Sequence, residues 1–242
     1  MSVLNQYGTA IPPVFQKFYR KLIVSCQARE GEPFRDSESQ ARFARSAVDG
    51  GAAGIRAQGP EDVRAIRSVV TVPIIGIRKI TQEDGFVLIT PTFQSACELK
   101  DAGADVIAVD VTARGRGLGA IERVQCIRRE LKVPVMADIA TIDEALAAAD
   151  GGADAVLSTM RGYTEDTADI QSFDIEFVRE LVRRSSVPVI AEGMIDTPQQ
   201  ACAALEAGAY AVIVGSAITR PVTIARRFAS ALENFKNGDC TR

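Results

Sequence analysis

The 242-residue sequence predicts a (β/α)8 barrel, in which eight parallel strands, each followed by a helix, close into a ring. The length matches the ~250 residues that one such barrel typically uses. Two short sequence motifs also alternate along the chain. One is a Gly-Ala helix end that leads into a β-branched strand, as in AGADVIAV at 102–109, and the other is a Val-Pro strand start, as in VPVMADIA at 133–140. We therefore expect a single barrel domain over residues 1–242.

The strands of this barrel are predicted from short, nearly continuous apolar segments, which are typical of a parallel sheet covered on both faces. They lie at 21–27, 54–58, 73–79, 105–112, 134–140, 155–160, 188–194 and 211–219. An open, doubly wound sheet is the alternative, but eight β/α units at this length favour closure. Residues 1–20 precede the first strand. We expect them to form an extension, with a short helix as one option, that covers the bottom of the barrel.

The segments between the strands have helical periodicity. Residues 60–70, 120–131 and 174–185 place apolar side chains at three- and four-residue spacing. The segments 141–153 and 197–209 each begin with a threonine suited to capping a helix, and Pro198 stands at the first helical position of the second. Residues 80–87 lack such a pattern and are expected to form a loop.

The composition excludes several function classes. The chain contains no histidine, so a histidine base, a histidine-ligated metal and a Ser-His-Asp triad are excluded. The net charge of −3 argues against a nucleic-acid binder, and we find no membrane span of ~20 apolar residues or signal peptide. Five scattered cysteines form neither a disulfide framework nor a zinc pattern, so we expect a reduced, cytoplasmic protein.

Polar side chains gather at the predicted strand ends, which is where active sites of such barrels lie. Each could singly be a solvated surface group, but a purely structural barrel would not need the whole ring. The set comprises Gln27, Arg56, Lys79, Asp110, Thr112, Asp138, Ser158, Thr159, Glu192, Ser216 and Arg220. The sequence therefore predicts a binding or catalytic site at this end of the barrel.

Glycines end the last two predicted strands and indicate a phosphate site. Gly193 and Gly215 would let backbone N–H groups approach a ligand closely, although they could instead only make tight turns. In many barrels the loops after strands 7 and 8, with an added helix N-terminus, bind phosphate. Ser216 and Arg220 could add a hydroxyl donor and a charged donor.

Two oppositely charged residues suggest acid–base chemistry. Lys79 and Glu192 end the third and seventh predicted strands, roughly opposite one another across the barrel mouth. Such a pair suits proton transfer on two faces of a carbon, provided that the surroundings bring both pKa values towards neutrality. Cys26 is expected to point away from the neighbouring Gln27 and to serve in packing.

Several motifs together resemble the N-acylglucosamine-6-phosphate 2-epimerases, also called N-acetylmannosamine-6-phosphate 2-epimerases. The matching segments occur in order from about residue 21 to the last helix. They include LIVSCQA (22–28), GIRAxGPEDxxAI (54–66), PIIGIxK (73–79), MADI (136–139), PVIAEGxIxTPxQA (188–201) and GAYAVIVGSAITRP (208–221). Arg78, Ala140, Met160 and Arg161 depart from the family pattern, and the loop at 80–87 lacks the basic residue usual there. These departures leave the proposed catalytic groups in place and bear on substrate details such as the tolerated acyl group.

The resemblance implies a metal-independent isomerase of sialic acid and amino-sugar breakdown that needs no cofactor. It would interconvert N-acetylmannosamine 6-phosphate and N-acetylglucosamine 6-phosphate by moving the C2 proton. The implied roles cover three groups of residues. Lys79 and Glu192 transfer protons, Gln27, Arg56 and Asp138 line the sugar site, and Gly193, Gly215, Ser216 and Arg220 hold the phosphate.

Two alternatives remain: another phosphate-binding barrel isomerase, such as a pentulose-phosphate 3-epimerase, and, from a different class, a barrel that binds a sugar phosphate without catalysis. A pentulose-phosphate 3-epimerase would call for metal-binding histidines, which this chain lacks. A non-catalytic sugar-phosphate-binding barrel is disfavoured because both Lys79 and Glu192 are present. The sequence leaves open whether the protein is a homodimer, which group opens the sugar ring, and which of Lys79 and Glu192 serves which face of C2.

Overall fold

The computed structural model describes residue 7 and residues 10–236, and its main feature is a closed barrel of eight parallel strands. The barrel strands are β1 Leu22–Cys26, β2 Gly54–Gln58, β3 Ile74–Ile77, β6 Val106–Asp110, β7 Val135–Asp138, β8 Ala155–Leu157, β9 Val189–Glu192 and β10 Ala211–Val214. Around the ring the order is β1-β10-β9-β8-β7-β6-β3-β2. The predicted fold class is therefore confirmed.

Apart from the first helix, which precedes β1, the helices follow the barrel strands. They are α1 Pro13–Gln16, α2 Ser37–Asp49, α3 Gly59–Arg67, α4 Phe93–Asp101, α5 Ala113–Gly117, α6 Ala120–Cys126, α7 Ile142–Asp150, α8 Ile175–Arg184, α9 Pro198–Glu206, α10 Ser216–Thr219 and α11 Pro221–Lys236. Thr141 and Thr197 each cap a helix through a reciprocal capping box, with Glu144 and Gln200 respectively. These caps confirm the two helix starts that the threonines predict.

Side chains alternate between the inside and the outside of the barrel, as the two-residue period of a strand requires. Met136 and Ile190 belong to the inner cluster of buried residues, whereas Val135 and Val189 pack beneath the helices. The residue two positions beyond an inner apolar side chain therefore faces the barrel mouth. This alternation directs the polar residues at the carboxyl ends of the strands into a common space.

The segment before β1 packs against the amino-terminal end of the barrel. Phe15 and Phe18 are fully buried in the inner cluster, and the Tyr210 hydroxyl donates a hydrogen bond of 3.1 Å to the Phe15 carbonyl. At Gly54 a Cβ atom would lie 2.5 Å from Phe18 Cε1, so only glycine leaves room for this ring. Residues 1–6 and 8–9 of the expected extension lie outside the described residues, and the single-domain organisation over 1–242 stays a prediction.

All of the predicted strands except the second end earlier in the structure, and three of them continue into other elements. The strand predicted at 73–79 ends at Ile77, and Lys79 instead begins a separate antiparallel hairpin of β4 Lys79–Thr81 and β5 Val87–Ile89. This hairpin replaces most of the loop expected at 80–87, because Gly85 adopts a φ of +82° and its N–H closes the turn onto the Gln82 carbonyl at 2.9 Å.

The strands predicted at 155–160 and 211–219 turn into short helical segments. Residues 158–160 form a 3-10 turn after β8, and α10 begins directly after Gly215. Within the described part of the chain, no helix combines the length and the hydropathy needed to span a membrane.

Candidate active site

The centre of the barrel mouth is a buried ionic cluster built on Arg56. Arg56 Nη2 donates to both carboxylate oxygens of Asp138, at 2.7 and 2.9 Å, and Nη1 donates to Glu192 Oε1 at 2.9 Å. Arg56 and Asp138 are 1% and 0% exposed. The three residues come from β2, β7 and β9; Asp138 and Glu192 end their strands, whereas Arg56 lies in the middle of β2. The structure thus brings together three of the predicted site residues.

Hydrogen bonds from the β8 end fix the position of Glu192. The Thr159 hydroxyl donates to Glu192 Oε2 at 2.8 Å, while the Ser158 hydroxyl donates to the Glu192 carbonyl at 2.8 Å and accepts from its N–H at 3.0 Å. Both carboxylate oxygens of Glu192 therefore have a donor. The sequence placed Ser158 and Thr159 at a strand end but assigned them no role, because the 3-10 turn that aims them at Glu192 is not visible in a strand pattern.

The cluster contains two carboxylates but only one guanidinium, so one negative charge has no matching positive charge within it. Burial raises the pKa of Asp138 and of Glu192, and Arg56 opposes this effect in both cases. Burial by itself would lower the pKa of Arg56, but the two neighbouring carboxylates have the larger opposite effect, and the pKa of Arg56 is raised. The guanidinium consequently stays charged, and the carboxylate pair can take up a proton more readily than carboxylates in water.

Lys79 is a further titratable group beside this cluster, and its pKa is also shifted. The residue lies at the exposed start of β4, and the charges of Arg56, Glu192 and Asp138 act on its ammonium group. Loss of water and then repulsion by Arg56 lower the Lys79 pKa to about 8, and the carboxylates of Glu192 and Asp138 limit the shift. An amine with such a pKa is partly neutral near pH 7.5 and can accept a proton there.

Gln27 and Asp110 each present a buried oxygen atom without a hydrogen-bond partner among the described residues. The Gln27 amide donates to the Ser25 hydroxyl at 2.5 Å, which leaves its Oε1 unpaired. Asp110 Oδ1 accepts from the Thr112 N–H and hydroxyl at 2.9 and 2.7 Å, while Oδ2 is unpaired and burial raises its pKa to about 6. Asp110 is an additional candidate at the mouth, to which the sequence assigned no role.

The residues expected to hold phosphate lie on the neighbouring ends of β9 and β10. Gly193 needs glycine because its φ is +100°, and Gly215 lies so close to β1 that a Cβ there would be 3.2 Å from Ser25 Cβ. Ser216 begins α10, but this helix has only four residues and adds little dipole. Arg220 follows α10, and the structure pairs it with Glu32, a partner that the sequence did not reveal.

The four cysteines in the described part of the chain contribute no catalytic group to this cluster. Cys26 is buried among the outward-facing core residues, and this burial raises its pKa to about 12, which confirms a packing role. Cys97, Cys126 and Cys202 are free thiols, and Cys240 lies outside the described residues. Within residues 10–236, no three cysteine or carboxylate side chains are grouped so that they could hold a metal ion.

Fold and site together define a (β/α)8-barrel protein with an acid–base cluster at the carboxyl ends of its strands. The NanE family model, described as "Putative N-acetylmannosamine-6-phosphate epimerase", matches residues 40–234. The chain belongs to this N-acetylmannosamine-6-phosphate epimerase family, as the motif resemblance indicated.

Individual relatives match most of the chain. A protein of Caldanaerobacter subterraneus subsp. tengcongensis, named "Putative N-acetylmannosamine-6-phosphate 2-epimerase", is 44% identical over 223 residues, which cover 91% of this chain and 94% of the relative. A protein of the same name from Clostridioides difficile is 42% identical over 222 residues, with 91% and 99% covered. The solved N-acetylmannosamine-6-phosphate 2-epimerase of Clostridium perfringens superposes with a TM-score of 0.84 at 38% identity, covering 92% of this chain and 97% of that one.

Proposed function

We propose that this protein interconverts N-acetylmannosamine 6-phosphate and N-acetylglucosamine 6-phosphate by removing and returning the proton on C2. The observation that carries the proposal is the arrangement at the mouth. A lysine whose pKa lies at about 8 stands beside a carboxylate whose pKa burial has raised. Membership of the family supplies the substrate, because its relatives are named for N-acetylmannosamine 6-phosphate.

The chemistry begins from the open-chain aldehyde, in which C2 is adjacent to the carbonyl carbon. The neutral Lys79 amine removes the C2 proton, and the electron pair moves into the carbonyl to form an enolate oxyanion. In this proposal the charge of Arg56 stabilises the developing oxyanion. Protonated Glu192 then supplies a proton to the opposite face of C2, and the stereocentre is inverted. No oxidation or reduction occurs, so the reaction needs no redox cofactor.

The remaining residues bind the substrate in this proposal. Gln27 has an unpaired amide oxygen that can accept a hydrogen bond from a sugar hydroxyl or from the acetamido N–H. Asp138 lines the sugar site and shares Arg56 with Glu192. Gly193, Gly215 and Ser216 offer backbone and hydroxyl donors for the phosphate group, and Arg220 adds a charged, two-pronged donor.

The direct test is to incubate the protein with N-acetylmannosamine 6-phosphate in D2O and to follow C2 by NMR. We expect deuterium at C2 together with the appearance of N-acetylglucosamine 6-phosphate. Unphosphorylated N-acetylmannosamine, at the same concentration, is the control and should react poorly. If neither exchange nor conversion occurs with the phosphorylated sugar, the proposed reaction is wrong.

Metal independence stays a prediction and has its own test. The proposed proton transfers use only side chains of this chain, so EDTA should leave the rate of epimerisation unchanged. Full loss of activity with EDTA, restored by a divalent cation, would contradict this part of the proposal. We expect no nucleic acid or membrane among the partners.

We infer further that two copies of the chain form a homodimer in the cytoplasm. Helix α11 exposes Phe228, Leu232 and Phe235, which share one face of the helix because they are four and three residues apart. A second copy offers the same apolar face, and a two-fold contact would cover both. Sedimentation analysis should give a dimer, and the double variant Phe228→Glu and Leu232→Glu should shift it towards the monomer. The free thiols support a reducing compartment.

A further inference from the structure

Arg220, which the proposed function assigns to the phosphate, already has an anionic partner within the chain. Its guanidinium donates through Nε to Glu32 Oε2 at 3.2 Å and through Nη2 to Glu32 Oε1. The two residues are 188 positions apart and meet because β1 and β10 are neighbours in the barrel. Their side chains are only 16% and 19% exposed, so the pair lies partly sheltered at the rim of the mouth.

The turn after β1 presents the Glu32 carboxylate in this position. The Arg29 N–H donates to Glu32 Oε2 at 2.9 Å, and the Glu32 N–H donates to the Arg29 carbonyl at 3.0 Å. The hydrogen bond from Arg220 lowers the pKa of Glu32, so this carboxylate is ionised throughout the neutral range. A carboxylate held on both prongs of an arginine occupies the geometry in which arginine also binds phosphate.

We propose that Glu32 is an internal competitor for the phosphate site, which holds Arg220 until the substrate phosphate displaces it. This inference rests on the proposed function, since it requires that Arg220 bind the phosphate. A phosphate ester carries up to two negative charges against the single charge of Glu32, so it can take over the guanidinium. When the product leaves, Glu32 returns to Arg220. Glu32 thereby sets the affinity for the phosphate group and favours release of the phosphorylated product.

The surroundings of Glu32 allow the displaced carboxylate to leave. The turn lies at the surface, where the side chain of the neighbouring Glu30 is 98% exposed. Gly31, with a φ of +80°, has open space around the position of a Cβ atom. A released Glu32 can therefore regain water, which compensates for the lost ion pair. A carboxylate enclosed by the core, such as Asp138, would have no such exit.

The test compares Glu32→Gln with the parent, using isothermal titration with inorganic phosphate as the probe. The variant keeps the size of the side chain but removes the competing charge. A partly exposed ion pair contributes ~1 kcal/mol, so the variant should bind phosphate about fivefold more tightly. The KM for N-acetylmannosamine 6-phosphate should fall by a similar factor, while kcat/KM for the unphosphorylated sugar should not change.

Two further variants make the result specific. Glu30→Gln removes the same charge from the same turn and should bind phosphate within about twofold of the parent, because Glu30 pairs with Arg35 and not with Arg220. Arg220→Ala should lose most of the phosphate affinity. If Glu32→Gln binds phosphate no more tightly than the parent, or if Glu30→Gln tightens binding equally, Glu32 is not a competitor. If Arg220→Ala binds phosphate as well as the parent, the phosphate assignment itself fails, and this inference fails with it.

Discussion

Replacing Arg56 by methionine should strongly destabilise the protein, and the loss should depend on pH. The guanidinium makes three charge-assisted hydrogen bonds to Asp138 and Glu192, in surroundings almost without water. Methionine retains much of the volume but leaves two carboxylates without their cation. Removing one partner of a buried ion pair typically costs ~3–5 kcal/mol. We therefore expect the free energy of unfolding to fall by about 4 kcal/mol at pH 8.

The sign of the pH dependence follows from the carboxylates. Burial already raises the folded-state pKa of Asp138 and Glu192, and loss of Arg56 removes the opposing effect of its charge. In the variant the folded state thus binds a proton that the unfolded state, with a carboxyl pKa of about 4, has released. Stability must then rise as the pH falls from the folded pKa towards the unfolded pKa. The change is ~1.4 kcal/mol for each pH unit and bound proton.

Urea denaturation followed by circular dichroism at pH 8 and pH 6 measures both effects, provided that the m value is unchanged. Arg45→Met is the matched control, because Arg45 pairs with Asp49 on the exposed face of α2. That variant should lose no more than about 0.5 kcal/mol at either pH. A loss below about 1 kcal/mol for Arg56→Met at pH 8, or an equal loss at both pH values, would refute the reasoning.

Three other predictions concern catalysis and binding. Lys79→Ala and Glu192→Ala should each lower kcat by ~10²- to 10⁴-fold with the fold intact, and each should still exchange the C2 proton of one epimer with D2O. If one variant is inactive and the other normal, a single base replaces the pair. The kcat/KM should have a bell-shaped dependence on pH, because the reaction needs Lys79, with its pKa of about 8, as a neutral base and Glu192 as a protonated acid. A flat profile between pH 6 and 9 would exclude Lys79 as that base. Arg220→Ala should weaken binding of the phosphorylated sugar by roughly tenfold to a hundredfold and scarcely alter turnover of the unphosphorylated one. Unchanged discrimination between the two sugars would remove Arg220 from the phosphate site.

The sequence by itself determined the barrel and most of the polar residues at its mouth. Both follow from local patterns. Eight apolar segments separated by helical periods predict the closed sheet, and the two-residue alternation of a strand directs Asp138 and Glu192 inwards after Met136 and Ile190. The two threonine caps could also be predicted from the sequence, because a helix cap depends only on residues within one turn.

Only the tertiary structure decided how these residues pair. Arg56 pairs with Asp138 and Glu192, which lie 82 and 136 positions away in the sequence. Arg220 pairs with Glu32, which lies 188 positions away. No local pattern specifies such partners, because they depend on the ring order of the strands and on the shape of the loops between them. The hairpin that carries Lys79 and the 3-10 turn that aims Thr159 at Glu192 likewise arise where the chain leaves the regular strand. The shifted pKa of Lys79 comes from burial and neighbouring charges, which exist only once the barrel has closed around it.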